Sequence, residues 1–194
     1  MCHGRSPRVT RYPRDVLAKR CNLRYLERMR ETGHNDACPG LDTRKADMTP
    51  YNQSLSSFER RQLYYYRAIG ELPPDPNLHA CAHLYASDRN SLFIVANHLD
   101  IADKFQGRFH AQMASLSHTV VFHVPAADLM MNEDNGDRRW FCKEDWTTRA
   151  AGGRGIHNSR LVGPSGIHVA STWQEGMVRV GKKPTTKSER DTKL

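Results

Sequence analysis

Apolar and polar positions change rhythm along this chain, and each change marks a new kind of element. From Leu78 to about His98 the run LHACAHLYASDRNSLFIVANH sets Cys81, Tyr85, Leu92 and Ala96 at helical spacing, which predicts a helix capped by Asn77. Asp88 falls on that same face, where a polar position bonded to nearby backbone and a functional carboxylate are both open readings. Alternation then takes over. Ser115, Ser117, Thr119, Val121 and His123 share one face of a strand, and Leu116, His118, Val120 and Phe122 share the other. Trp140–Thr148 reads as a further strand. Arg154–Val162 and Ile167–Val180 read as a hairpin around Gly163-Pro164-Ser165-Gly166.

The first third is less regular. Arg61–Gly70 (RQLYYYRAIG) has an aromatic centre suited to a strand and is stopped by LPPDP. Cys21–Met29 fits a strand or a short helix, and residues 30–56 read as a polar loop with Gly and Pro punctuation. Residues 1–20, rich in Arg and Pro, and the tail 181–194 are expected to be flexible basic ends around one domain over 21–180, its core over 60–180. One helix followed by antiparallel strands predicts an α+β fold in which a sheet covers a helix.

Composition narrows the chemistry. No apolar run approaches the roughly 20 residues of a membrane span, and the charged start MCHGRSPRVTRYPRD has no apolar signal core, so an intracellular protein is expected. The five cysteines are odd in number and without a C-x-x-C pair, which predicts free thiols rather than a disulfide framework or a zinc site. Ten histidines include no H-E-x-x-H pattern, so no metal is expected. The net charge of +8 suggests an anionic partner. Much of that charge sits at the two ends, and with no helix-turn-helix, finger or RNA-binding signature a nucleic acid is not the expected partner.

Ser117-His118 invites a reading as nucleophile and base, but adjacent strand residues point to opposite faces, and His123 lies about 20 Å along the strand. A Ser-His dyad is therefore not expected. The runs SLSHTVVFH, TTRAAGGRG and HVASTWQEGMVRV, in that order, together with the helical HACAHLYASD, resemble the acyl-CoA thioesterase II family. That family carries S-L-D-H-[ST]-x-x-F-H, S-x-x-A-x-x-x-R-G and V-A-S-x-x-Q-E-G-x-x-R, and a Y-x-S-D helix.

The resemblance covers the second half of the family pattern and implies a single hot-dog fold, a long helix wrapped by a curved antiparallel sheet. It implies hydrolysis of an acyl-CoA to free acid and coenzyme A, in fatty-acid or secondary-metabolite metabolism. No cofactor is needed beyond the coenzyme A of the substrate. Carried over by motif, the residues that hold the attacking water are Gln174, Thr148 and, in place of the family's Asp, Ser117. Ser117 cannot accept a proton near neutral pH, so the alternative is a non-catalytic module that binds acyl-CoA or a partner subunit. A lone hot dog exposes a sheet edge and implies a homodimer or a second hot-dog unit as partner. The glycines of AAGGRGI are read as a bulge or a close backbone approach. Arg154 is open between a phosphate contact and a surface salt bridge, and Glu175 is expected to face away from Gln174. The final Thr-Lys-Leu loosely resembles a peroxisomal address, leaving a peroxisomal or cytoplasmic location expected.

Overall fold

A computed structural model describes residues 40–100, 109–132 and 138–182. The expectations for 1–20, for Cys21–Met29 and for the tail beyond 182 lie outside the described residues. The elements run β1 (Leu41–Lys45), α1 (Thr49–Asn52), β2 (Gln62–Ala68), α2 (Pro76–Asp88), α3 (Ser91–His98), β3 (Phe109–Phe122), a 3-10 turn (Ala126–Leu129), β4 (Phe141–Ala151), β5 (Arg154–Val162) and β6 (His168–Lys182). The strands form one antiparallel sheet in the order β1-β2-β4-β5-β6-β3. With α2 and α3 laid across one face of that curved sheet, this is the expected α+β hot-dog arrangement.

The expected helix is two helices. Pro76 opens α2 at a position that needs no N–H, and the cap is Asp75, whose side chain accepts from the Asn77 backbone N–H at 2.9 Å; Asn77 is not the cap. At Asn90 the chain enters the left-handed region (φ 61), which ends one helix and re-aims the next. The break resets the buried face. Leu92 and Ala96 are buried as expected, but Cys81 and Tyr85 are exposed, and the inward row of α2 is His79, His83, Ala86 and Ser87. Two histidines are admissible there because every ring nitrogen is used. His79 Nδ1 accepts from the Met131 N–H (3.0 Å) and its Nε2 donates to the Pro73 carbonyl (3.1 Å). His83 Nδ1 accepts from Tyr66 Oη–H (2.8 Å) and its Nε2 donates to the Leu129 carbonyl (2.9 Å). These four bonds tie α2 to β2, to the stretch from Leu129 to Met131 and to the loop at Pro73, beside an apolar core of Tyr66, Phe141, Leu161, Ala170, Leu129 and Met131.

Part of the expected loop over 30–56 is ordered as β1 and α1, because Leu41 pairs with Ala68 and Gln62 Nε2 donates to the Ala46 carbonyl. On the other side of the molecule α3 sits unusually close to the sheet. Gly155 and Gly176 are register partners on β5 and β6, and a Cβ at either would overlap Val95 or Leu92 of α3. Close approach, one of the two readings of the glycine run, is the role of Gly155; Gly152 and Gly153 form the positive-φ turn between β4 and β5.

Overpacking at this seam destabilises by about 1–3 kcal/mol, so Gly155→Ala and Gly176→Ala should each lower the melting temperature while leaving the far-UV spectrum unchanged. Burial pushes His83 from 6.5 down to about 4. Its neutral form is therefore the one the fold holds, and its stabilising contribution is complete above pH 6.5 and lost as pH falls through about 4. Thermal melts between pH 7 and pH 4 should show this slope, and His83→Phe, weaker at pH 7, should have a flatter dependence over the same window.

Candidate functional site

The site is built where the end of α2 meets the middle of β6. Gln174 alternates with outward-facing Trp173 and Glu175 on β6, so its amide points under the helix, where it is 0% exposed. Both amide hydrogens are taken: Nε2 donates to Asp88 Oδ1 at 2.7 Å and to Ser115 Oγ at 2.6 Å. A carboxylate can only accept, so this contact also fixes which end of the amide faces Asp88. Asp88 is the last residue of α2 and is exposed, while its partner is wholly buried. A carboxylate at a helix C-terminus gains nothing from the helix dipole, and here it is held by the Gln174 amide instead.

Ser115 reaches the amide because β3 is irregular. Its register against β6 shifts between Ser115 and Ser117, so Leu116 is an extra residue. The bulge breaks the expected alternation and turns Ser115 and His118 to the same, helix-facing side. His118 shares the side of its register partner Gln174 and its Nε2 lies 3.2 Å from Ser87 Oγ. Burial lowers the His118 pKa, partly opposed by the nearby Asp88 charge.

Of the three residues carried over by motif, only Gln174 is at this point. Ser117 stands opposite Glu175 and, next to inward-facing His118, faces the outer side of the sheet. Thr148 is also turned outward: it is the extra residue of a second bulge, between Thr147 and Arg149, and its Oγ1 accepts from Asn158 Nδ2 at 3.0 Å. Its neighbour Thr147 is the buried one, donating to the Ile156 carbonyl at 2.6 Å. In place of Ser117 and Thr148 the structure brings Asp88 and Ser115 to Gln174. Motif position alone could not show this, because two bulges decide which residue of each strand points inward. The signal that was available is Asp88 itself, a carboxylate on an otherwise apolar helical face. Glu175 faces away from Gln174, and Arg154 makes a surface salt bridge to it at 2.8 Å.

Among the described residues no group of three His, Cys, Asp or Glu side chains could hold a metal ion, and no helix is long and apolar enough to cross a membrane. Cys81 and Cys142 are free thiols.

The arrangement has one carboxylate open to solvent, one hydroxyl, and one buried amide that ties them together. Such a set can accept a proton from a water and hold that water in place. The model of the acyl-CoA thioesterase C-terminal domain matches residues 26–178, and the chain belongs to that family. It is 29% identical over 142 residues to acyl-coenzyme A thioesterase 8 of Homo sapiens, covering 72% of this chain and 40% of the human protein. The mouse acyl-coenzyme A thioesterase 8 is 31% identical over 133 residues, covering 68% and 37%. Among solved structures, the acyl-CoA thioesterase II TesB2 of Mycobacterium marinum superposes with a TM-score of 0.56 at 28% identity, over 73% of this chain and 50% of that one. The tesB protein of Mycobacterium avium subspecies paratuberculosis shares the fold, with a TM-score of 0.50 at 17% identity over 72% and 48%. The chain thus spans half or less of the length of these relatives.

Proposed function

We propose that the chain hydrolyses an acyl-CoA to a free carboxylic acid and coenzyme A, with Asp88 as base and with Gln174 and Ser115 holding the groups around it. The observation that carries this reading is the convergence of Asp88 Oδ1 and Ser115 Oγ on one buried amide nitrogen, in a chain of the thioesterase family. A water held beside Asp88 attacks the thioester carbonyl carbon as its proton passes to the carboxylate. The carbonyl oxygen gains charge in the tetrahedral intermediate and needs donors. Backbone N–H groups in the first turn of α3, which begins three residues beyond Asp88, are suited to that task, since a helix's first turn has no intrahelical acceptor for them and Asn90 makes no side-chain cap bond there. When the C–S bond breaks, the sulfur takes the proton back from Asp88 and coenzyme A leaves. The non-catalytic alternative was motivated by a missing carboxylate at position 117, and Asp88 removes that motive.

On this reading the partner is a second hot-dog unit, supplied by another copy of the chain. Supporting it are the length of the edge strand β3, 14 residues, and the exposure of Leu84, Tyr85 and Phe93 on the helices and Leu116 on β3, an open edge and apolar surface that call for cover. A peroxisomal or cytoplasmic location is proposed from the family resemblance, and a tagged chain visualised in cells tests it. Light scattering should give twice the 22.2 kDa chain mass; a monomeric mass would remove the homodimer.

The decisive assay is coenzyme A release from a panel of acyl-CoAs. Asp88→Asn should lower kcat by about 10²–10⁴-fold, the usual cost of losing a general base, and Gln174→Ala and Ser115→Ala should also lose rate. Ser117→Ala and Thr148→Ala should stay near wild type. If the loss instead tracks Ser117 and Thr148 and spares Asp88, this assignment is wrong.

A further inference from the structure

Behind Gln174 the sheet carries a second buried polar row that the proposed hydrolysis does not use. Lys143, Asp145 and His157 are 2%, 0% and 0% exposed, in a position where apolar side chains would pack between sheet and helix. Taking charged groups out of water costs several kcal/mol per ion even after relaxation, so their presence calls for a physical reason. The row is continuous: Lys143 Nζ lies 3.4 Å from Asp145 Oδ2, and Asp145 Oδ1 lies 3.2 Å from His157 Nε2.

Each end of the row meets one half of the site. Lys143 Nζ donates to the Arg89 carbonyl at 2.7 Å and to the Ser87 carbonyl at 3.5 Å, the two carbonyls that flank Asp88 in sequence. A cation at the carbonyl end of a helix is electrostatically favoured, and here it also pins the chain that carries the carboxylate. At the other end His157 is the direct cross-strand partner of Gln174. Directly opposed residues on one face have Cβ atoms about 4.5–5.5 Å apart. With both hydrogens of Nε2 committed to Asp88 and Ser115, the oxygen Oε1 of Gln174 must find a donor elsewhere. That oxygen and both ring nitrogens of His157 are buried and have no hydrogen-bond partner among the described residues, the approach of Nε2 to Asp145 being an ion-pair contact. They are complementary groups on directly opposed residues of neighbouring strands.

We infer that Lys143, Asp145 and His157 are positioning residues for the reaction at Asp88 and Gln174. Lys143 fixes the chain on either side of Asp88. Asp145 holds His157 at Nε2, which leaves the Nδ1 side of the ring to serve the carbonyl end of the Gln174 amide. The row sets both halves of the site against one another, and it touches neither water nor substrate itself. This inference rests on the hydrolase reading of the chain.

The test is a kinetic cycle on the full chain, measuring coenzyme A release for the wild type, His157→Leu, Gln174→Ala and the double variant, with Asp88→Asn as reference. His157→Leu should lower kcat by up to about 100-fold, the scale of a small misplacement, with KM held within about twofold. In the Gln174→Ala background the same change should have almost no further effect, since the group it positions is gone. His157→Gln, which can still donate to Oε1, should recover most of the rate. Multiplicative losses in the double variant, or an unchanged kcat for His157→Leu, would overturn the inference while leaving the hydrolase reading intact. A wild type with no turnover overturns both. Asp145→Asn keeps the side-chain shape and takes the place of His157→Leu in the cycle if that variant does not fold.

Discussion

A wholly buried side-chain amide has to satisfy two N–H groups, and that requirement at Gln174 organises the molecule around it. One hydrogen goes to Ser115 on the edge strand and the other to Asp88 at the end of a helix. Leaving either unmade inside the fold would cost about 1–3 kcal/mol. The amide therefore ties β6 to β3 on one side and to the helix layer on the other. The paired glycines at 155 and 176 let α3 lie close against the sheet just beyond that point. Packing and chemistry share one distance, the height of the helices above the strands.

The inner surface of this sheet is more polar than a small core usually is. Apolar packing by Tyr66, Phe141, Leu161 and Ala170 fills one end, while Lys143, Asp145, Thr147, His157, Ser159, Thr172 and Gln174 are buried at other strand positions. The hydroxyls are satisfied locally, with Ser159 and Thr172 bonded to one another at 2.6 Å. Buried polar groups that satisfy one another confer rigidity and a single arrangement more than net stability. In the α2 layer His79 and His83 do the same work for the helix, trading apolar contact for four directed bonds.

Regular alternation made most of the strands legible. β2, β4, β5 and β6 lie close to where the pattern placed them, and the turn at Gly163-Pro164-Ser165-Gly166 is a hairpin with Gly166 at φ +81. Gln174 was legible too, because nothing between Val169 and Val178 disturbs the period of two. The features that escaped the pattern were in each case breaks of period. Leu116 and Thr148 are single extra residues, and each flips the facing of the later residues in its strand relative to the partner strand. The inward row of α2 was hidden because histidine and serine look like solvent-facing residues until Tyr66, Leu129 and Met131 supply their partners. β1 was hidden because LDTRK has little apolar content, and its pairing to β2 is a tertiary matter.

The left-handed residue at Asn90 has a consequence for the sequence changes this fold tolerates. Helix residues advance about 100° each around the axis, so the two-residue joint between α2 and α3 works as an indexing step, setting how far the second helix is turned relative to the first. Lengthening or shortening it by one residue would rotate Leu92 and Val95 off the glycine seam and swing Phe93 or Ala96 onto it. This joint has a count, and the count keeps Asp88 over Gln174 while α3 stays seated.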